Sequence, residues 1–254
     1  MNIVCIGSGN VATHLAIAFK AVGAELVQIW SRDIRNGEIL AALTKSTAVS
    51  DWNKLDRNAD CYLIAVKDDA IPAVAERLKG LKGIVVHTSG ATAMDALAQT
   101  GTGYGVLYPL QTFSKTKAVD LTKVPLCIEA SDPATFEKLS AIAHLISPLV
   151  SLVNSEQRKV LHLAAVFACN FSNHLYALSH TILEHYQLKF ELLKPLILET
   201  AEKVQTSLPE EVQTGPAIRN DEETMKKHMA LLREFPEMQE IYEMLSKSIK
   251  KKYL

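Results

Sequence analysis

The apolar run Ile3-Val4-Cys5-Ile6 ends in Gly7-Ser8-Gly9-Asn10-Val11-Ala12, and helical spacing of apolar residues begins at once. A strand that hands its end straight to a helix leaves few folds open. In a Gly-x-Gly-x-x-Ala turn the first glycine makes the tight bend. The second lets backbone N–H groups close on a pyrophosphate, and the small last residue lets helix and strand pack. The helix adds unpaired N–H groups and the positive end of its dipole, both favourable to an anion. Gly7, Ser8, Gly9, Asn10 and Val11 are the expected phosphate cradle of a dinucleotide.

Val11, Leu15, Ala18, Phe19 and Val22 continue with helical spacing to a stop at Gly23, and Glu25 to Trp30 reads as the second strand. That strand ends in Ser31-Arg32-Asp33. The NAD version of such a turn places an acid on the ribose 2′-OH. A hydroxyl and a guanidinium suit a 2′-phosphate instead, because arginine gives charge-assisted, often bidentate bonds. Ser31 and Arg32 therefore favour NADP over NAD, while Asp33 would serve the ribose after a shift of one position.

Further strands are expected at Thr47–Val49, Cys61–Val66, Ile84–His87, Gly105–Tyr108, Pro125–Glu129 and Leu149–Val153, with helices between most of them. An aspartate of Lys67-Asp68-Asp69 should cap a helix over 70–78, and another helix should run over about 91–99. Asp132-Pro133 opens one more. Strands alternating with helices mean a Rossmann-type doubly wound, mostly parallel α/β sheet over residues 1–153. Ligands bind such sheets at the carboxyl ends of the strands. That rule aligns the glycine turn with Ser31-Arg32, Ala65-Val66-Lys67 and His87-Thr88-Ser89. Lys67 would hold a phosphate or carboxylate or simply be solvated, and His87 or Ser89 would touch the nicotinamide unless Ser89 merely caps a helix.

From Asn154 no further strand is visible, and residues 154–254 read as an all-α substrate and dimerisation domain. Asn154 with Gln157 resembles a capping box for a long helix reaching about Tyr186. Pro195 sits near a helix start or kinks one, Asp221 caps a helix to about Glu234, and Pro236 opens the last. A long helix apolar on more than one side buries a second face, so a homodimer through these helices is expected.

The long helix carries a polar line among apolar neighbours. His162, Asn170 and Asn173 fall close to one face, with His174 beside them and Arg158 one turn before His162. Buried polar groups need partners or a reason. One reason is a substrate, with His162 as proton donor and Asn170 and Asn173 orienting a carbonyl or imine. The other is bonding between helices or across a dimer. Arg219, in Thr214-Gly215-Pro216-Ala217-Ile218-Arg219-Asn220-Asp221, would clamp a substrate anion or pair with Asp221.

A net charge of −1 predicts no electrostatic attraction to nucleic acid or membranes. Cys5, Cys61, Cys127 and Cys169 lie in apolar runs without a Cys-x-x-Cys, so they read as buried thiols, neither a redox pair nor metal ligands. No apolar segment approaches the ~18 residues that span a membrane, and no basic leader precedes the first strand, so a cytoplasmic protein is expected. No zinc spacing and no Gly-x-Ser-x-Gly elbow occur.

The glycine turn, Ser31-Arg32 and Ala65-Val66-Lys67 resemble the NADP-binding half of pyrroline-5-carboxylate reductases and β-hydroxyacid dehydrogenases. His162-Leu-Ala-Ala-Val-Phe-Ala-Cys-Asn170, Tyr108-Pro109-Leu110-Gln111-Thr112-Phe113, the Thr214-Gly215-Pro216 turn and His228 resemble a bacterial family labelled NADP oxidoreductases, which pairs a Rossmann-like domain with a helical one. Asn220 stands where that family usually has glycine before Asp221. The reductases' Gly-Ser-Gly-Pro motif has no match around 160–175. Val166 stands four residues before Asn170, where the dehydrogenases have lysine. The resemblance implies NADP binding and dimerisation.

The expected function is NADP(H)-dependent hydride transfer to or from a small carbonyl, hydroxyl or imine compound in a cleft between the domains. Two alternatives stand beside it: a non-catalytic NADP(H) sensor, and pyrroline-5-carboxylate reduction itself.

Overall fold

A computed structural model describes residues 1–254. The chain divides into two compact units, Met1–Asn170 and Phe171–Leu254.

The first unit is built on one eight-stranded sheet. Its strands are β1 (Asn2–Ile6), β2 (Glu25–Trp30), β3 (Thr47–Val49), β4 (Cys61–Ile64), β5 (Ile84–His87), β6 (Tyr104–Pro109), β7 (Leu126–Ala130) and β8 (Val150–Leu152), in the order β3-β2-β1-β4-β5-β6-β7-β8. Every pair is parallel except β6 with β7, where Gly105 faces Ala130 and Pro109 faces Leu126. The order reverses direction after β1, and a doubly wound sheet binds its ligands at that switch.

Period-2 alternation divides the core. Ile3 and Cys5 of β1 and Leu63 of β4 face one side, where they meet α1 (Asn10–Ala21), α2 (Ile34–Thr44) and, further along the sheet, α4 (Pro133–His144). Val4, Ile6, Tyr62 and Ile64 face the other, packing on α3 (Ile71–Arg77) and Leu97. With helices on both faces the central strands are buried throughout, which explains their unbroken apolar runs. A third, smaller cluster joins Val106, Tyr108 and Cys127 to Met94, Leu110, Val153 and Leu161 of α5 (Ser155–Ala165).

Several local expectations hold. The Asp132 carboxylate accepts from Thr135 N at 2.9 Å with Pro133 behind it. At the start of α5 both halves of the capping box form: Asn154 Oδ1 accepts from Gln157 N, and Gln157 Oε1 accepts from Asn154 N. Others are corrected. Asp68 and Asp69 cap nothing; they form a 3-10 turn, Asp68–Ala70, that leads into α3 without a side-chain cap. The segment expected to be helical over 91–99 is a 3-10 stretch, Met94–Thr100. The long helix is interrupted: after α5 a π-helical segment, Val166–Phe171, precedes α6 (Ser172–His185). Cys169 within it is exposed, unlike the other three cysteines.

The second unit is helical, with α6, α7 (Lys194–Thr206), α8 (Glu222–Leu231) and α9 (Pro236–Tyr253). Pro195 and Pro236 sit in first turns, where proline's missing N–H costs no bond. Asp221 caps α8 by accepting from Thr224 N at 3.0 Å, and the helix ends at Leu231, short of Glu234. Tyr186 Oη donates to Leu231 O at 3.2 Å, and His228 Nδ1 lies 2.9 Å from Tyr242 Oη. No helix of the chain is long and apolar enough to cross a membrane.

Candidate functional site

The glycine turn is an open cradle. Gly7 has φ 125°, and a Cβ on it would stand 2.1 Å from the Ala65 carbonyl oxygen, so only glycine lets the end of β1 pass that close to β4. A Cβ on Gly9 would meet nothing within 4 Å. Gly9 is the N-cap of α1, and no side chain caps that helix. The first-turn N–H groups therefore open on free space, as a pyrophosphate requires. Val11 is half-buried on the core. The Asn10 side chain is occupied elsewhere: its Nδ2 donates to Phe113 O at 2.9 Å. His14 lies 2.9 Å from Ser114 O and stacks on Phe113, so both residues pin the loop after β6 onto α1.

Ser8 and Ser31 join the turn to the end of β2, with their hydroxyls 2.8 Å apart. Ser31 Oγ donates to Asp33 O at 2.7 Å, which makes Ser8 the donor between the two serines. Asp33 is committed to α2: its carboxylate accepts from Arg35 N at 3.1 Å and from the Arg35 guanidinium at 3.4 Å. The arginine hydrogen bond holds that carboxyl below the usual range. The acid an NAD site would aim at the ribose is thus used as a helix cap, while Arg32 beside it is exposed.

Ala65 and Val66 continue from β4 under the turn, and Lys67 is exposed at the start of the 3-10 turn. His87, at the end of β5, is turned inward. It is fully buried, its Nδ1 accepts from Ser89 N at 3.2 Å, and its Nε2 has no partner. Burial, helped by the nearby Arg158 charge, pushes its pKa down to about 4. The buried ring shapes the loop through its bond to Ser89 N. Ser89 is likewise buried; its hydroxyl accepts from Ala91 N and Thr92 N and bonds Thr92 Oγ1 at 2.9 Å, so it organises the loop after β5.

That loop is clamped by α5. Arg158 is fully buried; Nη1 donates to Glu129 Oε2 at 2.5 Å, and Nη2 donates to Thr92 O at 2.7 Å and Ser155 Oγ at 3.1 Å. Glu129 in turn accepts from the backbone N and hydroxyl of Ser155. One turn beyond Arg158, His162 is half-buried against the loop. A Cβ on Gly90 would stand 2.7 Å from His162 Nδ1 and 2.9 Å from Tyr108 Cζ. The ring fits because position 90 has no side chain. Tyr108 Oη lies 3.1 Å from His162 Nδ1, and Nε2 has no protein partner. Tyr108 projects from β6 on the same face as Val106, one residue before the strand ends at Pro109.

The expected polar line does not stay together as a buried row. Asn170 falls inside the π segment, where i→i+5 bonding breaks the 3.6-residue spacing, and it is exposed in the single chain. Asn173 and His174, in the second unit, are exposed too. Arg219 is exposed and makes no ion pair. The Asp221 carboxyl beside it is lowered first by the Thr224 hydroxyl, with Arg219 a lesser contributor. Asn220 has φ 52°, the left-handed conformation that suits the family's glycine and that asparagine tolerates.

Tyr108, Gly90 and Glu129 were missed as site residues. Their signals are faint: a tyrosine and a glutamate at core-facing strand positions, and a glycine after a strand. Only Arg158, a cation one turn before His162 on the edge of an apolar helix stretch, asked for a partner.

Fold and site define a Rossmann-type protein followed by a helical part. Residues 2–89 match the family model described as NADP oxidoreductase coenzyme F420-dependent, and residues 124–249 match a domain of unknown function. A "putative NADP oxidoreductase" of Bacteroides fragilis is 42% identical over 98% of both chains, with a TM-score of 0.94. The chain belongs to this family of NADP oxidoreductases. The imine reductase of Myxococcus stipitatus in complex with NADP+ shares 18% identity over 99% of this chain and 92% of its own, with a TM-score of 0.64. A pyrroline-5-carboxylate reductase of Coxiella burnetii shares 17% over 98% of each chain, at 0.57, a likeness of fold. No curated protein matches the chain.

Proposed function

We propose that this protein is an NADP(H)-dependent oxidoreductase that reduces a small carbonyl or imine compound, or oxidises the corresponding hydroxyl or amine. The observation that carries the reading is His162: a ring held on Gly90 and Tyr108 beside the loop after β5, with Nε2 unpartnered. Gly7, Ser8, Gly9 and the first-turn N–H groups of α1 would hold the pyrophosphate. Ser31 and Arg32 would hold the 2′-phosphate, with Ala65, Val66 and Lys67 along the same edge. The bound cofactor supplies or accepts the hydride. His162 donates a hydrogen bond or proton from Nε2 to the oxygen or nitrogen of the reacting double bond. Asn170 and Asn173 orient the substrate, and Arg219 holds an anionic group on it. We assign these duties, with dimerisation, to residues 154–254. Val160 at 68% and Leu163 at 58% exposure support a second copy of the chain covering α5.

The test is NADPH consumption against a panel of aldehydes, ketones, cyclic imines and, in reverse, hydroxy acids. His162→Gln should lose turnover by 10²-fold or more, on the order expected for a general acid, while NADPH binding is kept. Undiminished turnover in that variant would remove His162 from the chemistry.

A further inference from the structure

The loop after β5, the end of β6 and the second turn of α5 meet around one ring. We propose that Tyr108 is the positioning residue that fixes His162 in the tautomer carrying its proton on Nε2. The inference rests on the role proposed above for His162 as the donor.

The argument is one of donors and acceptors. Tyr108 is 8% exposed, and its hydroxyl has one partner, His162 Nδ1, at 3.1 Å. A buried phenol with a single partner gains most by donating to it, because an orphaned buried donor costs about 1–3 kcal/mol. Burial also raises the Tyr108 pKa, so the phenol keeps its proton. Donation to Nδ1 leaves the neutral imidazole only Nε2 for its own hydrogen. The ring cannot escape by sliding: Gly90 lies against Nδ1 and Cγ so closely that a Cβ there would overlap both, and Tyr108 packs edge-on to the ring with centroids 6.0 Å apart. Arg158, one turn earlier, anchors α5 to Glu129 and to the Thr92 carbonyl, which fixes the height of His162 against the loop.

A hydroxyl suits this task better than a carboxylate. It donates to Nδ1 of the neutral ring and, by rotating about the C–O bond, accepts from Nδ1–H of the imidazolium. The ring can then gain or lose a proton at Nδ1 without moving, and Nε2–H stays the outward donor in both forms. A carboxylate in its place would favour the charged ring alone.

The tautomer can be read without a substrate. In full-length protein labelled with 15N-histidine, at about pH 8 where a histidine is ordinarily neutral, the His162 signals are assigned by their loss in His162→Gln. The expected pattern is a proton on Nε2 and a bare, hydrogen-bonded Nδ1. Tyr108→Phe should turn it into a mixture of tautomers while the other seven histidines keep their signals. A mixed or Nδ1–H pattern in the unaltered protein overturns the proposal, whether or not Tyr108→Phe folds. So does a His162 signal unchanged in Tyr108→Phe. A Tyr108-dependent Nε2–H tautomer supports it even if no carbonyl or imine is turned over, and a mixed tautomer overturns it even in an active enzyme.

Discussion

Arg158 of α5 lies wholly buried with Nη1 2.5 Å from Oε2 of Glu129, which sits on β7 twenty-nine residues earlier. A buried charge stripped of its partner is costly, whereas the intact pair replaced by apolar groups is not. Glu129→Leu should therefore destabilise the protein by about 3–5 kcal/mol. Combining it with Arg158→Met should recover most of that loss. Urea unfolding of the two single variants and the double variant reads the difference; additive losses would mean the pair is not coupled.

The two glycines of the first turn should fail differently. Gly7→Ala meets the Ala65 carbonyl at a positive φ, so it should impair folding itself. Gly9→Ala meets open space and should change stability by no more than about 0.5 kcal/mol. Its methyl would still occupy the space above the helix N-terminus, so NADPH affinity should drop at least tenfold. Thermal melts with fluorescence titration separate the two outcomes.

Arg32 is exposed beside an acid already used as a cap. Arg32→Ala should weaken NADPH binding by about 1.5–3 kcal/mol, the range for hydrogen bonds to a charged group, and leave NADH binding nearly unchanged. Equal losses for both cofactors would deny Arg32 the 2′-phosphate.

His87 makes stability depend on pH. Its folded pKa is about 4 against an ordinary 6.5, so between those values the unfolded chain binds a proton that the folded one refuses. Its contribution is complete above about pH 6.5 and is lost as pH falls toward 4. The whole drop is on the order of 3 kcal/mol. Unfolding curves at pH 7 and 4.5 should show it, and His87→Leu should flatten that part of the profile. An unchanged slope in the variant would mean other groups carry it.

Leu163→Lys puts a charge on the exposed apolar side of α5 without touching the core. If two copies meet there, sedimentation should show a dimer for the unaltered protein and a monomer for the variant.

What could be read from the residues alone was what is local. The glycine turn, the apolar strands, the Asp132-Pro133 start and the Asn154 to Gln157 box are each specified within a few neighbours, and each formed as expected. The π segment was hidden because one extra residue per turn leaves the apolar pattern of 166–171 looking α-helical. The full burial of His87 was not legible, because a strand's end can present its last side chain either to the open edge or to the packed side of the sheet. The distant partners of Arg158 and His162 were out of reach, since Glu129, Tyr108 and Thr92 lie 29, 54 and 66 residues away along the chain.

The reversal at β7 has an effect on how such a site can change over time. Because β7 runs against β6, the chain leaves the sheet at the end remote from the glycine turn, and α5 climbs back to bring His162 to the ligand edge. The grip on the nucleotide and the proton donor, as proposed above, are thus written in separate stretches of chain. On that proposal a new side chain at position 162 would redirect the chemistry while the glycine turn and Ser31-Arg32 went on holding the same coenzyme.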